Sequence, residues 1–283
     1  MKLIAIDMDG TLLNSDHRIS TANLQAMKEA QAAGHIVMLC SGRPHDALSK
    51  FMKAEYDLDL PVAGSNGAIT CAGGRTIHSA ALDVDLAARI FEYLEEDKHP
   101  FKIYTNKGVF NIDGFLDRAK IDFDLLPAEA TRSINVERFL EYLKAVGSQP
   151  ITTFEELSQQ EGLEIFKFFV STLLPAKKSE IESRLQTFKG PMGFTSSAPQ
   201  NIEIMSDLGH KGTGLREMAR HFGISMENTV AIGDNFNDLP MMKAAGLSIA
   251  MGNAEAPVKE LCDVVTKTND EDGVAFAIRE YVL

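Results

Sequence analysis

Residues 2–11 of this 283-residue chain read KLIAIDMDGT, and this stretch decides how the fold is organised. Its apolar first half does not alternate with polar residues, which predicts a strand over residues 2–7 that is buried on both faces. Asp7 and Asp9 end this strand, and two charges about 4 Å apart repel by roughly 4 kcal/mol at an effective dielectric of about 20. A pair of this kind binds a cation or shares a proton, and it suits phosphoryl transfer.

The composition is that of an acidic globular protein. Hydrophobic residues make up 45% of the chain and charged residues 24%, which is ordinary, and the length allows one large domain or two smaller ones. The formal net charge of -12 argues against nucleic acid as a ligand, because phosphate backbones attract basic surfaces. A small phosphorylated metabolite remains compatible, since a bound cation reverses the field of a single pocket.

The cysteines and the apolar runs predict a cytoplasmic location. Cys40, Cys71 and Cys262 are scattered and lack metal-ligand spacing, so we expect reduced thiols. The first apolar run stops at Asp7, which argues against a secretory signal. No run approaches the length that spans a bilayer, so a membrane partner is not expected.

Strand and helix patterns alternate at both ends of the chain. Beyond residues 2–7, apolar strands are predicted at 35–40, 61–64, 229–232, 247–250 and 263–266. Predicted helices separate them and begin near Ser20, Pro44 and Lys211. Apolar, non-alternating strands between helices are typical of a parallel sheet covered on both faces. The predicted fold class is therefore α/β, with a Rossmann-like doubly wound parallel sheet as its core.

The middle of the chain has a different pattern. Residues 83–206 mix helical stretches with a predicted hairpin, in which strands 101–105 and 109–112 flank a turn at 106–108. We expect an α+β domain inserted between two halves of one core domain, residues 1–82 and 207–283. No internal repeat or low-complexity tract interrupts this organisation.

Polar residues with phosphate chemistry follow three of the predicted core strands. Asp7 and Asp9 follow the first, Ser41 and Gly42 follow the second, and the segment GDNFND at 233–238 follows the strand at 229–232. Lys211 opens the helix before that last strand. Each feature alone is more simply a turn, a helix cap or a surface lysine. Because ligands bind at the carboxyl ends of such strands, their joint occurrence predicts a phosphoryl-transfer site there.

Four ordered motifs in this set resemble those of the haloacid dehalogenase superfamily of phosphatases. They are Asp7-x-Asp9-Gly10-Thr11, Ser41-Gly42-Arg43-Pro44, Lys211-Gly212 and Gly233-Asp234-x-x-Asn237-Asp238. Asn66-Gly67-Ala68, the Glu203-Ile204 strand and the position of the insert resemble the Cof-type branch, subclass IIB, whose insert is a large C2 cap domain. His210 departs from the usual small polar or acidic residue before the lysine, and we expect it to have a local structural role.

The resemblance implies a division of labour at the site. Asp7 would be the nucleophile that forms an aspartyl phosphate, and also a metal ligand. Asp9 would be general acid for the leaving alcohol and then general base for water, with its main-chain carbonyl facing the metal. The Ser41 hydroxyl and the Gly42 N–H would hold phosphoryl oxygens, and Lys211 would neutralise them.

The remaining motif residues would complete a magnesium and phosphate site. Asp234 would join Asp7 and Asp9 as a ligand of Mg²⁺, which is the implied cofactor. Asp238 would belong to the same metal cluster by orienting Lys211 or the metal-bound waters, and Asn237 would contact phosphate. Four further residues are candidates for contact with the leaving group, although a solvated role is as good an explanation for each: Arg43, His45, Asn106 and Lys107.

The sequence favours a Mg²⁺-dependent phosphatase that hydrolyses a small phosphomonoester such as a sugar phosphate. Pyridoxal phosphate and flavin mononucleotide are equally open as substrates, and the oligomeric state is open as well. A phosphomutase would use the same aspartyl-phosphate chemistry. A phospho-accepting signalling protein shares the strand-end acids, the lysine and Mg²⁺, but Asp9 and the insert argue against it. A binding protein without activity is the last alternative, and the intact set of acids disfavours it.

Overall fold

The computed structural model describes residues 1–126 and 135–283, and the chain forms two compact units. The core unit contains Met1–Ser79 and Gly209–Leu283, and the inserted unit contains Ala80–Leu208. Each unit has its own hydrophobic core.

The core unit is built on one sheet of mostly parallel strands. Along the chain its strands are β1 (Leu3–Ile6), β2 (Ile36–Cys40), β3 (Val62–Gly64), β4 (Ile69–Ala72), β5 (Arg75–Ser79), β12 (Thr229–Gly233), β13 (Leu247–Ala250) and β14 (Val264–Val265). In space the order is β14-β13-β12-β1-β2-β3-β4-β5. All neighbours from β14 to β3 pair in parallel. The predicted α/β fold with a parallel sheet is confirmed.

The sheet continues beyond β3 in a way that the sequence analysis does not predict. β4 pairs antiparallel with β3, and β5 pairs antiparallel with β4. The β4–β5 connection uses Gly73 and Gly74, which have φ values of +55° and +71°. Two successive positive φ angles are what a two-residue hairpin turn of type I′ requires, and glycine adopts them without strain.

Helices cover both faces of the core sheet, and β1 lies at its centre. Ile4 and Ile6 pack into one cluster with Met27, while Leu3 and Ala5 pack into the other. The strand is therefore buried on both faces, which explains its continuous apolar sequence. The helices of this unit are Thr21–Ala32, His45–Tyr56, Lys211–His221, Leu239–Ala244, Ala256–Glu260 and Gly273–Tyr281, with 3-10 turns at Ser65–Gly67, Met226–Asn228, Phe236–Asp238 and Asn269–Glu271.

The inserted unit is an α+β structure with a mainly antiparallel sheet. Its strands are β6 (Phe101–Thr105), β7 (Gly108–Ile112), β8 (Gln149–Ile151), β9 (Ile165–Ser171), β10 (Gly193–Thr195) and β11 (Asn201–Met205), in the spatial order β10-β11-β9-β6-β7-β8. The predicted hairpin is confirmed as β6 and β7. Its described helices are Val84–Glu96, Phe115–Asp124, Val136–Ala145, Phe154–Ser158 and Pro175–Leu185. Within the described ranges of the chain, none of the helices has the length and apolar character needed to traverse a bilayer.

Candidate active site

Three neighbouring strands of the core sheet place the sequence motifs at one edge. β12, β1 and β2 are adjacent and parallel, with Ile6 opposite both Ile232 and Leu39. Asp7 follows β1, and its N–H donates to the carbonyl of Ile232 at 3.0 Å. Because the carboxyl ends of parallel strands share an edge, the residues after β1, β2 and β12 converge there.

Lys211 is the centre of the buried charges at this edge. Its Nζ lies 2.5 Å from Asp7 Oδ1 and 2.5 Å from Asp238 Oδ1, and the side chain is fully buried. Burial alone would lower the pKa of Lys211, but the Asp238 and Asp7 carboxylates outweigh it and raise this pKa above its usual range. The ammonium is therefore a permanent charge. His210 supports it locally by capping the helix that Lys211 begins, where its Nδ1 accepts from the Thr213 N–H at 3.2 Å.

Asp7 is nearly buried, and its protonation depends on the charges around it. Burial raises the pKa of its carboxyl well above its usual range; Lys211 opposes this rise, whereas Asp238 and Asp234 add to it. A carboxyl group acts as a nucleophile only when it is ionised. A further positive charge beside Asp7 would therefore favour the reactive form.

Asp238 organises the loop after β12 in addition to pairing with Lys211. Its Oδ2 accepts from the N–H groups of Asp234 and Asn235, both at 2.9 Å. Asn235 in turn caps the short 3-10 turn Phe236–Asp238. Both oxygens of Asp238 are thus engaged with protein donors, which fits the predicted role of orienting Lys211 better than direct ligation of a metal.

Asp234 lies beside Asp7 and is held by a residue of the first motif. Its Oδ1 accepts from the Thr11 hydroxyl at 2.8 Å, and its pKa is raised to about 6, first by burial and then by Asp238. Gly10 allows this approach: its φ is +81°, and a Cβ there would lie 2.5 Å from Asp234 Oδ2. Glycine at this position is therefore required by both conformation and space.

The cluster of acids fits a divalent cation. One carboxylate oxygen from each of Asp7, Asp234 and Asp238 lies within 4.8 Å of the others, and the Lys211 ammonium contacts two of these acids, Asp7 and Asp238. Oxygen donors with excess negative charge are what Mg²⁺ prefers in proteins. The Asp9 carboxylate lies outside this group and instead contacts Arg43. For Asp9, the resemblance implies that the main-chain carbonyl faces the metal.

The residues predicted to hold phosphate follow β2 and β12. Ser41 is buried, and its carbonyl accepts from the Asn66 N–H at 2.9 Å. Gly42 comes next in the chain and is partly buried. Asn237 donates through Nδ2 to Asn66 Oδ1 at 3.3 Å. Asn66 thereby connects the two segments, and its φ of 60° is a left-handed conformation that asparagine tolerates better than most residues.

The candidates for contact with the leaving group have different positions. His45 begins the helix His45–Tyr56, and burial lowers the pKa of its imidazole. Asn106 and Lys107 form the β6–β7 turn of the inserted unit. There Asn106 donates to the Gly162 carbonyl at 2.7 Å, so its side chain has a structural role in that loop. Arg43 contacts Asp9, as described above.

One residue that the sequence analysis does not identify supports the first motif. Asn253 Nδ2 donates to the Gly10 carbonyl at 2.8 Å, and Asn253 Oδ1 accepts from the Asn269 N–H at 3.0 Å. Asn253 follows β13, so it lies at the same edge of the sheet as the motifs. Applying the strand-end criterion to β13 as well would have found it, although a glycine-asparagine turn carries little chemical signal of its own.

Comparison with known proteins agrees with this geometry. A family model for haloacid dehalogenase-like hydrolases matches residues 4–278. The phosphatase YwpJ of Bacillus subtilis (strain 168) is 33% identical over 291 residues, which cover 99% of both chains. Another protein of that organism, the 5-amino-6-(5-phospho-D-ribitylamino)uracil phosphatase YwtE, is 35% identical over 285 residues, covering 98% of this chain and 97% of its own. A solved haloacid dehalogenase-like hydrolase from B. subtilis has a TM-score of 0.86 and 30% identity over the full length of both chains.

These matches span the whole architecture, and the motifs that carried the resemblance lie together at one edge of the core sheet. The chain belongs to the haloacid dehalogenase-like hydrolase family. Similarity to named phosphatases over nearly its full length supports phosphatase activity as its general class. The resemblance to the Cof-type branch is confirmed.

Proposed function

We propose that the chain is a Mg²⁺-dependent phosphatase that hydrolyses small phosphomonoesters through a phosphorylated Asp7. The observation that carries this proposal is the buried contact of Asp7 with Lys211, beside two further acids within 4.8 Å. A nucleophile, a fixed cation and a set of metal-binding oxygens are the components that phosphoryl transfer needs.

The proposed reaction has two half-reactions. In the first, a carboxylate oxygen of Asp7 attacks phosphorus, the ester P–O bond breaks, and Asp9 gives its proton to the departing alkoxide. In the second, water attacks the phosphorus of the aspartyl phosphate, its proton moves to Asp9, and the bond to Asp7 breaks with the electron pair remaining on the Asp7 carboxylate. The products are an alcohol and inorganic phosphate, and the protein regains its starting state.

The remaining residues bind and orient the phosphoryl group. Ser41, Gly42 and Asn237 would donate hydrogen bonds to its oxygens, and Lys211 would offset the charge that they gain. Asp238 would keep Lys211 in place through the 2.5 Å contact. Asp7, Asp234 and the Asp9 carbonyl would hold Mg²⁺, which supplies charge neutralisation for the phosphate dianion.

The family and the relatives support a proposal for the class of substrate. We propose a small phosphorylated metabolite with a sugar-like or polyol-like leaving group, because the relative YwtE is named for a phosphorylated ribityl compound. The inserted unit would be the cap domain that selects this leaving group and excludes water during the reaction. Neither nucleic acid nor a membrane is part of this proposal.

The experiment is phosphate release from a panel of phosphorylated metabolites, with and without Mg²⁺. We expect turnover with Mg²⁺, none after chelation and dialysis, and recovery when Mg²⁺ is restored. Asp7→Asn should abolish turnover, whereas Asp16→Asn, at an exposed position of the same unit, should not. Phosphate transferred to protein and stable for hours would instead support a phospho-accepting protein, and a strict need for a sugar bisphosphate would support a phosphomutase.

A further inference from the structure

Arg43 and Asp9 form a bidentate ion pair, and the proposed reaction assigns no role to Arg43. Arg43 Nε lies 2.9 Å from Asp9 Oδ2, and a terminal nitrogen of Arg43 lies 2.5 Å from Asp9 Oδ1. Their side chains are 33% and 52% exposed, respectively. An exposed pair of this kind normally contributes little to stability.

The backbone of Arg43 belongs to the segment that would hold phosphate. Its N–H donates to the Ser41 hydroxyl oxygen at 3.3 Å, and its carbonyl accepts from the Ser65 N–H at 2.8 Å. The side chain thus extends from a braced segment after β2 to the acid that follows β1. Through it, the Asp9 carboxylate has a fixed position relative to Ser41.

Asp9 needs such a contact because its carboxylate lies outside the buried acid cluster. Asp7, Asp234 and Asp238 are held by Lys211, Thr11 and backbone N–H groups. A half-exposed aspartate without a comparable support samples several rotamers. Displacement of a reacting group by about 1 Å costs about a hundredfold in rate.

We propose that Arg43 is a positioning residue that orients the Asp9 carboxylate for hydrolysis of the aspartyl phosphate. The inference rests on the proposed function. An arginine fork that donates to both oxygens of a carboxyl group fixes the orientation of that group as well as its position. This orientation matters in the second half-reaction, when the attacking water gives Asp9 a proton and phosphate leaves Asp7.

This role differs from contact with the leaving group in a measurable way. The alcohol has departed before water attacks, so a residue that binds only the alcohol cannot change the rate of the second half-reaction. A residue that orients Asp9 changes that rate equally for every substrate. The two half-reactions therefore separate the two roles of Arg43.

The test follows the labelled phosphoenzyme in the full chain with Mg²⁺. A pulse of radiolabelled p-nitrophenyl phosphate, an unlabelled chase and acid quenching give the rates of its formation and decay. We expect Arg43→Gln to slow decay about tenfold to a hundredfold, a part of the 10²–10⁴-fold that proton transfer contributes. Formation should change little, because nitrophenolate leaves without a proton. Arg43→Lys keeps the charge but not the fork, so its decay rate should be intermediate.

Two further variants test whether Arg43 acts through Asp9. Arg279 makes a similar fork with Glu29, at 2.9 and 3.2 Å, on a helix outside the site. Arg279→Gln should leave both rates unchanged. In an Asp9→Asn background, Arg43→Gln should cause no further slowing, because the group that it positions is already disabled.

The outcomes that contradict the inference are distinct from failure of the proposed function. Unchanged decay in Arg43→Gln, with normal turnover in the wild type, overturns the inference alone. So does slower formation with a raised KM and normal decay, which would assign Arg43 to the leaving group. A wild-type chain that neither forms phosphoenzyme nor releases phosphate overturns the proposed function, and the inference with it.

Discussion

Replacing Gly10 with alanine should disturb the geometry of the proposed metal site, and a control variant separates this effect on activity from the effect on the stability of the fold. A Cβ at this position would lie 2.5 Å from Asp234 Oδ2, whereas real Cβ contacts do not fall below 3.0 Å, so one of the two groups must move by at least 0.5 Å. The Asp234 carboxylate is tied to Thr11 at 2.8 Å and cannot swing away without losing that bond. Since a 1 Å displacement costs about a hundredfold, we expect about a tenfold to hundredfold loss of kcat/KM.

The left-handed backbone of Gly10 adds a second effect, and a control variant measures it. Alanine at a φ of +81° costs about 1–2 kcal/mol of stability. Gly34 has a φ of +82° with no atom within 4 Å of the place that an alanine methyl group would occupy, and it lies after a helix outside the site. Gly34→Ala should lose similar stability in urea but keep its activity and its Mg²⁺ requirement. Equal kcat/KM and equal half-saturating Mg²⁺ in the two variants would refute the reasoning.

Three further predictions concern the metal, the proton-transfer residue and a buried histidine. Ca²⁺ should restore activity poorly after chelation, because it prefers a looser and larger oxygen shell than Mg²⁺; phosphate release measures this. Asp9→Asn should impair a sugar phosphate more than formation of phosphoenzyme from p-nitrophenyl phosphate, and equal losses at that step would contradict the assignment. Burial lowers the pKa of His99 to about 4. As the pH drops from about 6.5 towards 4, the unfolded chain therefore takes up a proton at His99 that the folded chain does not, and the stability of the fold should decrease. His99→Leu should reduce this slope in urea titrations at pH 7 and pH 5, and an unchanged slope would exclude His99 as its cause.

The central part of the fold could be predicted because its strands are buried on both faces. Residues 3–6 and 36–40 are continuously apolar, and the polar residues of a motif follow each of them. The strand Thr229–Gly233 follows the same pattern, and the helix that carries Lys211 at its start is predicted in the position where it occurs. Because the carboxyl ends of parallel strands lie at one edge of a sheet, the convergence of the motifs could be predicted without knowledge of side-chain contacts.

The contacts among these residues could not be predicted, because they depend on rotamers and on segments far apart in the chain. The family resemblance implies that Asp238 orients Lys211, but nothing in the sequence indicates that Asp238 also accepts from two backbone N–H groups, or that Arg43 forks onto Asp9. The antiparallel pair β4 and β5 could not be predicted for another reason. Its strands are short and only partly apolar, and the two glycines between them also occur in irregular loops.

The position of Lys211 explains why a lysine and a metal would both be needed. Its ammonium is shared between Asp7 and Asp238, so the pair of contacts at 2.5 Å leaves the charge of Asp234 uncompensated. A phosphate dianion entering this site would add further negative charge where unpaired buried ions cost several kcal/mol each. A divalent cation offsets the negative charge of the acids and of the dianion together. A second lysine in contact with Asp7 would instead compete for the carboxylate that acts as the nucleophile. The lysine thus fixes the geometry of the site, and the metal would supply the charge that the substrate requires.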